Sequence, residues 1–147
     1  MRGFTTVELV TVLIIAGILA GMGMSRFFDV SAFRQRGFAD EVRASLRLAQ
    51  KTAIAQRRFV CVAFSGPQPS SVTLTVDPLT DPAAAGAVPN CTVTLLAGNI
   101  QSSDAAFVST PANFYFNAAG KPDLSAMLTI DINGNPVYVE KETGYVH

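Results

Sequence analysis

The chain has no tryptophan, one histidine and two cysteines, and only 15% of its 147 residues are charged. These shortages exclude most catalytic designs. The sole histidine, His147, is the final residue of the sequence, where a backbone is expected to fray rather than hold a proton-transfer geometry. Neither Cys61 nor Cys91 has a histidine at the spacing of a nucleophilic dyad, and no glycine-rich phosphate loop or metal-ligand motif occurs. No internal repeat is visible. Asp77, Asp81 and Asp104 fall in predicted loops, where solvation is the ordinary expectation and a calcium site built from them the sharper alternative. The reading is a non-enzymatic chain with no cofactor and no metal.

What is abundant is apolar length at one end. From Phe4 to Met24 the sequence is apolar except for Thr5, Thr6, Thr11 and one ionisable group, Glu8. A helix over that run spans about 31 Å, close to the hydrocarbon thickness of a bilayer. A carboxylate near one end of such a helix costs a few kcal/mol unless it is paired. A cleaved secretory signal is a poor fit, because its apolar run is shorter and its small-residue cleavage site follows the run. Here the only small residue placed for cleavage, Gly3, precedes it. A plain signal anchor, with Glu8 snorkelling to the interface, stays open on these residues alone.

Formal net charge is zero, but the signs are segregated: residues 1–58 carry nine basic and four acidic side chains, residues 59–147 two and seven. A basic stalk below an acidic head follows, with anionic lipid or acidic neighbouring subunits as candidate partners for the stalk. From Arg26 to Gln56, Phe38, Val42, Leu46, Ala49 and Ala53 recur at three- and four-residue steps, one apolar stripe for packing on a sheet. Arg36, Asp40, Arg43, Arg47 and Lys51 recur on the other side, a solvated face or, as the sharper alternative, a nucleic-acid stripe that lacks interleaved aromatics.

Strand chemistry begins after Arg57 and Arg58. Phe59–Phe64 is a continuous apolar run predicted to be buried on both faces, and Val72–Val76 alternates as a half-exposed strand should. Residues 77–90 read as a loop, Cys91–Leu96 and Asn113–Phe116 as strands. Met127–Ile132 and Val137–Glu140 flank Asn133-Gly134-Asn135-Pro136, a strong hairpin signal. Variable loops are expected at 65–71, 77–90 and 98–112. The fold class is α+β: a long N-terminal helix, transmembrane in its first half and amphipathic in its second, packed on an antiparallel β-sheet head. Its segments are 1–3, 4–25, 26–58 and 59–147. Cys61 and Cys91 lie in the head; in an oxidising compartment they can join, closing a loop worth roughly 3–4 kcal/mol, or remain two buried thiols.

Gly3-Phe4-Thr5-Thr6-Val7-Glu8 resembles the processing signal of type IV pilins and pseudopilins. That resemblance implies a leader of residues 1–3, cleavage between Gly3 and Phe4 by a prepilin peptidase, and N-methylation of Phe4. It also implies that Glu8 meets the free amine of Phe4 on a neighbouring subunit. The short leader, Met1-Arg2-Gly3, leaves open a start codon upstream. Thr6 stands where the family usually has an aliphatic residue, and Ser25 where many members have a helix-kinking proline. The Leu-, Arg- and Ala-rich run from Glu41 to Arg58, leading into Phe59–Phe64, is similar to the H-type pseudopilin and FimT-type minor pilin branch. Phe116-Asn117-Ala118-Ala119-Gly120-Lys121-Pro122 resembles that branch's strand-then-turn, and Glu142–His147 resembles minor pilins of mannose-sensitive haemagglutinin pili. The resemblance implies a structural subunit of a type IV pilus or a type II secretion pseudopilus. Its partners would be other subunits, the peptidase and an inner-membrane assembly platform. The head would face the bacterial periplasm, with Arg2 on the cytoplasmic side. A membrane-tethered DNA receptor or adhesin is the alternative. The expected DNA patch is weak, however, since the only cation near the C-terminus, Lys141, lies between Glu140 and Glu142.

Overall fold

The computed structural model describes residues 5–24, 30–80 and 87–147, with backbone only at 20–24 and 30. The predicted leader 1–3, the Gly3–Phe4 junction, Ser25 and Asp81 lie outside the described residues. Helix α1 covers Thr6–Met24 and α2 Val30–Gln56. The strands are β1 Val60–Ser65, β2 Ser70–Val76, β3 Val93–Thr94, β4 Ile100–Ser102, β5 Phe114–Phe116, β6 Leu128–Ile132 and β7 Asn135–Val139. Two compact units divide within α2, Met1–Phe33 and Arg34–His147.

In the second unit the predicted apolar stripe is the buried face of α2: Phe38, Val42, Leu46, Ala49 and Ala53 are all 3% exposed or less. It packs on antiparallel strands. One sheet has the order β3-β2-β1-β5, with β4 also paired to β2; the other is the β6–β7 hairpin. The two short strands share one edge of β2, β4 against Ser70–Val72 and β3 against Thr75–Val76. In the gap between them the Asn99 side chain accepts the Leu74 N–H at 2.7 Å, so the ladder is completed by a side chain. A chain of aromatic contacts runs through the core, from Phe38 to Phe107 (5.9 Å), Phe107 to Phe64 (5.7 Å) and Phe64 to Phe114 (6.3 Å).

Local stops explain the element ends. Arg57 takes φ +50° and the Arg58 N–H reaches back to the Ala53 carbonyl, closing α2 with a left-handed residue that is not glycine. The hairpin turns on Asn133 (φ +50°) and Gly134 (φ +85°), a two-residue loop of the kind that matches strand twist.

Several expectations are corrected. The run at Phe59–Phe64 is not buried on both faces: β1 alternates, with Cys61 and Ala63 half-exposed, because helix and core cover one side only. Cys91–Leu96 shortens to Val93–Thr94. The predicted loops at 65–71 and 98–112 each contain strand, the start of β2 at Ser70 and all of β4. His147 is not frayed, since it exchanges backbone hydrogen bonds with Tyr138 at 2.8 and 3.1 Å. The outer edge of this tail is closed by α2, where the Arg47 Nε and Nη2 donate to the Val146 carbonyl at 3.1 and 2.9 Å. Gln50 adds bonds to the Gly120 and Thr143 carbonyls.

Candidate assembly site and the head surface

Helix α1 starts where a threonine can cap it. The Glu8 N–H is received by the Thr5 carbonyl at 3.1 Å and by Thr5 Oγ1 at 3.3 Å, and Thr11 returns its hydroxyl to the Val7 carbonyl at 2.8 Å. Glu8 thus sits in the first turn, where a carboxylate is favoured by the partial positive charge of the free N–H groups. Among the described residues no hydrogen bond or ion pair reaches its carboxylate. Around it the helix is apolar on every side. Val7, Leu9, Val10, Val12, Leu13, Ile14, Ile15, Ile18 and Leu19 range from 53% to 73% exposed. At 100° per residue those positions point in all directions, so this is no amphipathic stripe seeking one partner face. Among the described residues no helix is long and apolar enough to cross a membrane. The predicted span 4–25 has both its ends outside the described set, and described side chains stop at Leu19.

In the head, Cys61 on β1 is bonded to Cys91, with Sγ–Sγ 2.03 Å and Cα–Cα 6.1 Å, across 30 residues of sequence. The bond ties the return of the 77–91 loop to the sheet. Beside it lies the group that sequence reasoning placed in solvent. Asp77 is fully buried. Its Oδ1 accepts the N–H of Leu79 and Thr80, both at 2.9 Å, and its Oδ2 that of Asn90 at 2.6 Å. Burial alone would raise its pKa, but the Thr80 side chain and these three N–H groups outweigh it and hold the carboxyl well below the usual range. The Asp-Pro-Leu-Thr order was a legible signal for a local turn. The bond to Asn90 was not, because it depends on where the disulfide returns the chain.

Some of the remaining surface charges are paired. Arg34 meets Asp104 at 3.1 Å, Arg43 bonds Asp40 one turn away, and Lys121 and Lys141 share Glu142 at 2.8 and 3.5 Å. The hydrogen bond and charge of Lys121, then Lys141, lower the Glu142 pKa. Burial first, and then the Asp123 carboxylate beside it, raise that of Tyr115. The predicted basic stripe of α2 is therefore partly engaged within the chain, Arg43 on an acid and Arg47 on the tail. Asp77 and Asp104 are likewise engaged rather than gathered, and among the described residues no group of three or more His, Cys, Asp or Glu could hold a metal ion.

No protein family model matches the chain, and no curated relative matches it either. Among solved structures, the chain is similar to the type IV minor pilin FimU of Pseudomonas aeruginosa at 18% identity and a TM-score of 0.50. That match covers 79% of this chain and 88% of the other. A second crystal form of the same protein matches at 18% identity and a TM-score of 0.46, covering 76% and 90%. The chain therefore has a type IV pilin-like fold, an N-terminal helix packed on an antiparallel sheet.

Proposed function

We propose that this chain is a structural subunit of a type IV pilus or a related secretion pseudopilus, acting in filament assembly or priming. The observation that carries this reading is α1. Among its described side chains, nine large apolar ones are more than half exposed in every direction around a single acid, Glu8. Such a surface needs apolar cover from outside the chain, first lipid and then neighbouring helices. The pilin-like fold of the head supports the same reading.

In this mechanism the precursor inserts in the bacterial inner membrane with the head in the periplasm. A prepilin peptidase cuts between Gly3 and Phe4, and Phe4 is methylated at its new amine. The assembly platform lifts the subunit from the bilayer, and Glu8 docks on the Phe4 amine of a neighbour. Each charge alone in hydrocarbon costs several kcal/mol, and bringing them together offsets much of that. The Leu-, Arg- and Ala-rich run from Glu41 to Arg58 supports the H-type and FimT-type branch for this subunit. The DNA-receptor alternative is disfavoured because Lys121 and Lys141 both lean on Glu142, leaving few cations there for phosphate.

Replacing Glu8 by Ala tests the reading. A filament subunit should still be inserted and processed, yet drop out of sheared filaments. Normal incorporation of the variant, or intact precursor persisting in cells with a working peptidase, overturns it.

A further inference from the structure

The β6–β7 turn demands a chemically fragile pair of residues. Asn133 sits at φ +50° and Gly134 at φ +85°, a region where asparagine and glycine are the least strained choices. Asparagine followed by glycine is also the pair that most readily loses its side-chain amide, and the sequence contains it once. In that reaction the Gly134 backbone nitrogen gives up its proton and bonds to Asn133 Cγ. The Cγ–Nδ2 bond breaks, ammonia leaves with that proton, and a cyclic succinimide remains. Water then opens the ring at either carbonyl, giving aspartate or the β-linked isoaspartate. The second product would add a backbone atom to a loop whose length sets the Ile132–Asn135 register.

Packing gives this pair no shelter. Both residues are exposed, and a Cβ placed on Gly134 would meet nothing within 4 Å. Asn133 Oδ1 accepts the Ala106 N–H at 2.8 Å. A donor on that oxygen polarises the carboxamide and would assist attack if the nitrogen were free. The nitrogen is not free, because Asp131 Oδ1 accepts the Gly134 N–H at 2.8 Å. Losing the proton there would set one negative charge beside another. A carboxylate is far too weak a base to remove an amide proton outright, so it holds the N–H instead of activating it. Among the described residues the Asp131 carboxylate makes this hydrogen bond and enters no ion pair.

We propose that Asn133 is a latent deamidation site and that Asp131 protects it, by holding the Gly134 N–H in the folded turn. The backbone helps to keep Asp131 in place: its carbonyl accepts the Val108 N–H at 2.9 Å, and Phe107 bridges to Ile132. The chemistry is the same whether or not the chain enters a filament.

The test incubates the full chain in detergent near neutral pH and follows aspartate and isoaspartate at position 133 by peptide mass spectrometry. Wild type should convert slowly when folded and quickly in urea. Asp131→Ala should raise the folded rate about tenfold, the factor one charge-assisted hydrogen bond supplies, and in urea the two chains should match. Asp131→Asn keeps an acceptor oxygen and should fall between them. It carries the test if the Ala variant opens the hairpin, which hydrogen exchange at the Tyr138 amide would reveal. Val139→Ala loosens the core of the hairpin away from the turn and should accelerate the loss much less than Asp131→Ala. Equal acceleration by Val139→Ala would assign the rate to hairpin opening and overturn the protective role. So would a folded rate unmoved by either Asp131 variant, a difference that persists in urea, or wild type converting as fast folded as unfolded.

Discussion

Replacing Asp77 by Asn is the sharpest test of how the head is held together. The carboxylate is fully buried and receives three backbone N–H groups, from Leu79, Thr80 and Asn90. Asparagine keeps Oδ1 for Leu79 and Thr80 but turns an NH2 toward the Asn90 N–H, donor against donor. One charged bond is lost, a buried donor is stranded, and the two surviving bonds become neutral. Together these cost about 2–4 kcal/mol. Among the described residues, the unit Arg34–His147 holds every buried core residue, so urea unfolding of that unit is a suitable assay. The pH dependence supplies a second check. The folded carboxyl titrates below its ordinary value of 3.8, so its stabilisation is complete above that value and is lost as pH falls through it toward the folded pKa. Wild type should therefore destabilise more steeply than the Asn variant below about pH 4. A loss under about 1 kcal/mol at pH 7, with parallel pH profiles, would refute the account.

Two further perturbations probe the same unit. Cys61→Ala with Cys91→Ala opens a loop closed across 30 residues and should cost roughly 3–4 kcal/mol in the denaturant midpoint, with no such penalty if the bond is dispensable. Gly144→Ala should cost about 2–4 kcal/mol, because φ is +68° and the added Cβ collides with the Gly120 carbonyl oxygen and lies 3.0 Å from Phe116. Faster hydrogen exchange at the Tyr138 and His147 amides would locate that damage; unchanged exchange and midpoint would contradict it.

What could be read from sequence was whatever repeats at short range. The stripe Phe38, Val42, Leu46, Ala49 and Ala53 announced the buried face of α2, and Asn133-Gly134 announced the hairpin, because period and turn chemistry are local. What escaped depends on distant chain. β4 carries only Ile100 as a strand-like residue, and it forms because β2 offers an open edge at Ser70–Val72. The tail is ordered because Arg47, read as one member of a solvated face, reaches the Val146 carbonyl 99 residues away. Asp77 looked solvated because a loop acid usually is; its burial needs Asn90 delivered beside it. On α1, Glu8 was legible as an anomaly, and the structure adds a local reason for its position: Thr5 caps the turn it occupies.

The two units differ in what they leave unfinished, and that difference argues for assembly. The head encloses its own core. α1 does the reverse, exposing side chains each worth about 1.5–3 kcal/mol on burial. Apolar burial is non-directional, so a helix apolar on all sides can slide or rotate against its neighbours with little penalty. A filament needs one axial register. In such a rod a single acid near the end distinguishes one register from the next most sharply, because every misplaced alignment leaves a charge unpaired in hydrocarbon. On the proposed filament reading, Glu8 acts as a selector among otherwise equivalent packings more than as a source of affinity. The expected signature of Glu8→Ala is accordingly loss of ordered assembly while the helix keeps its apolar affinity.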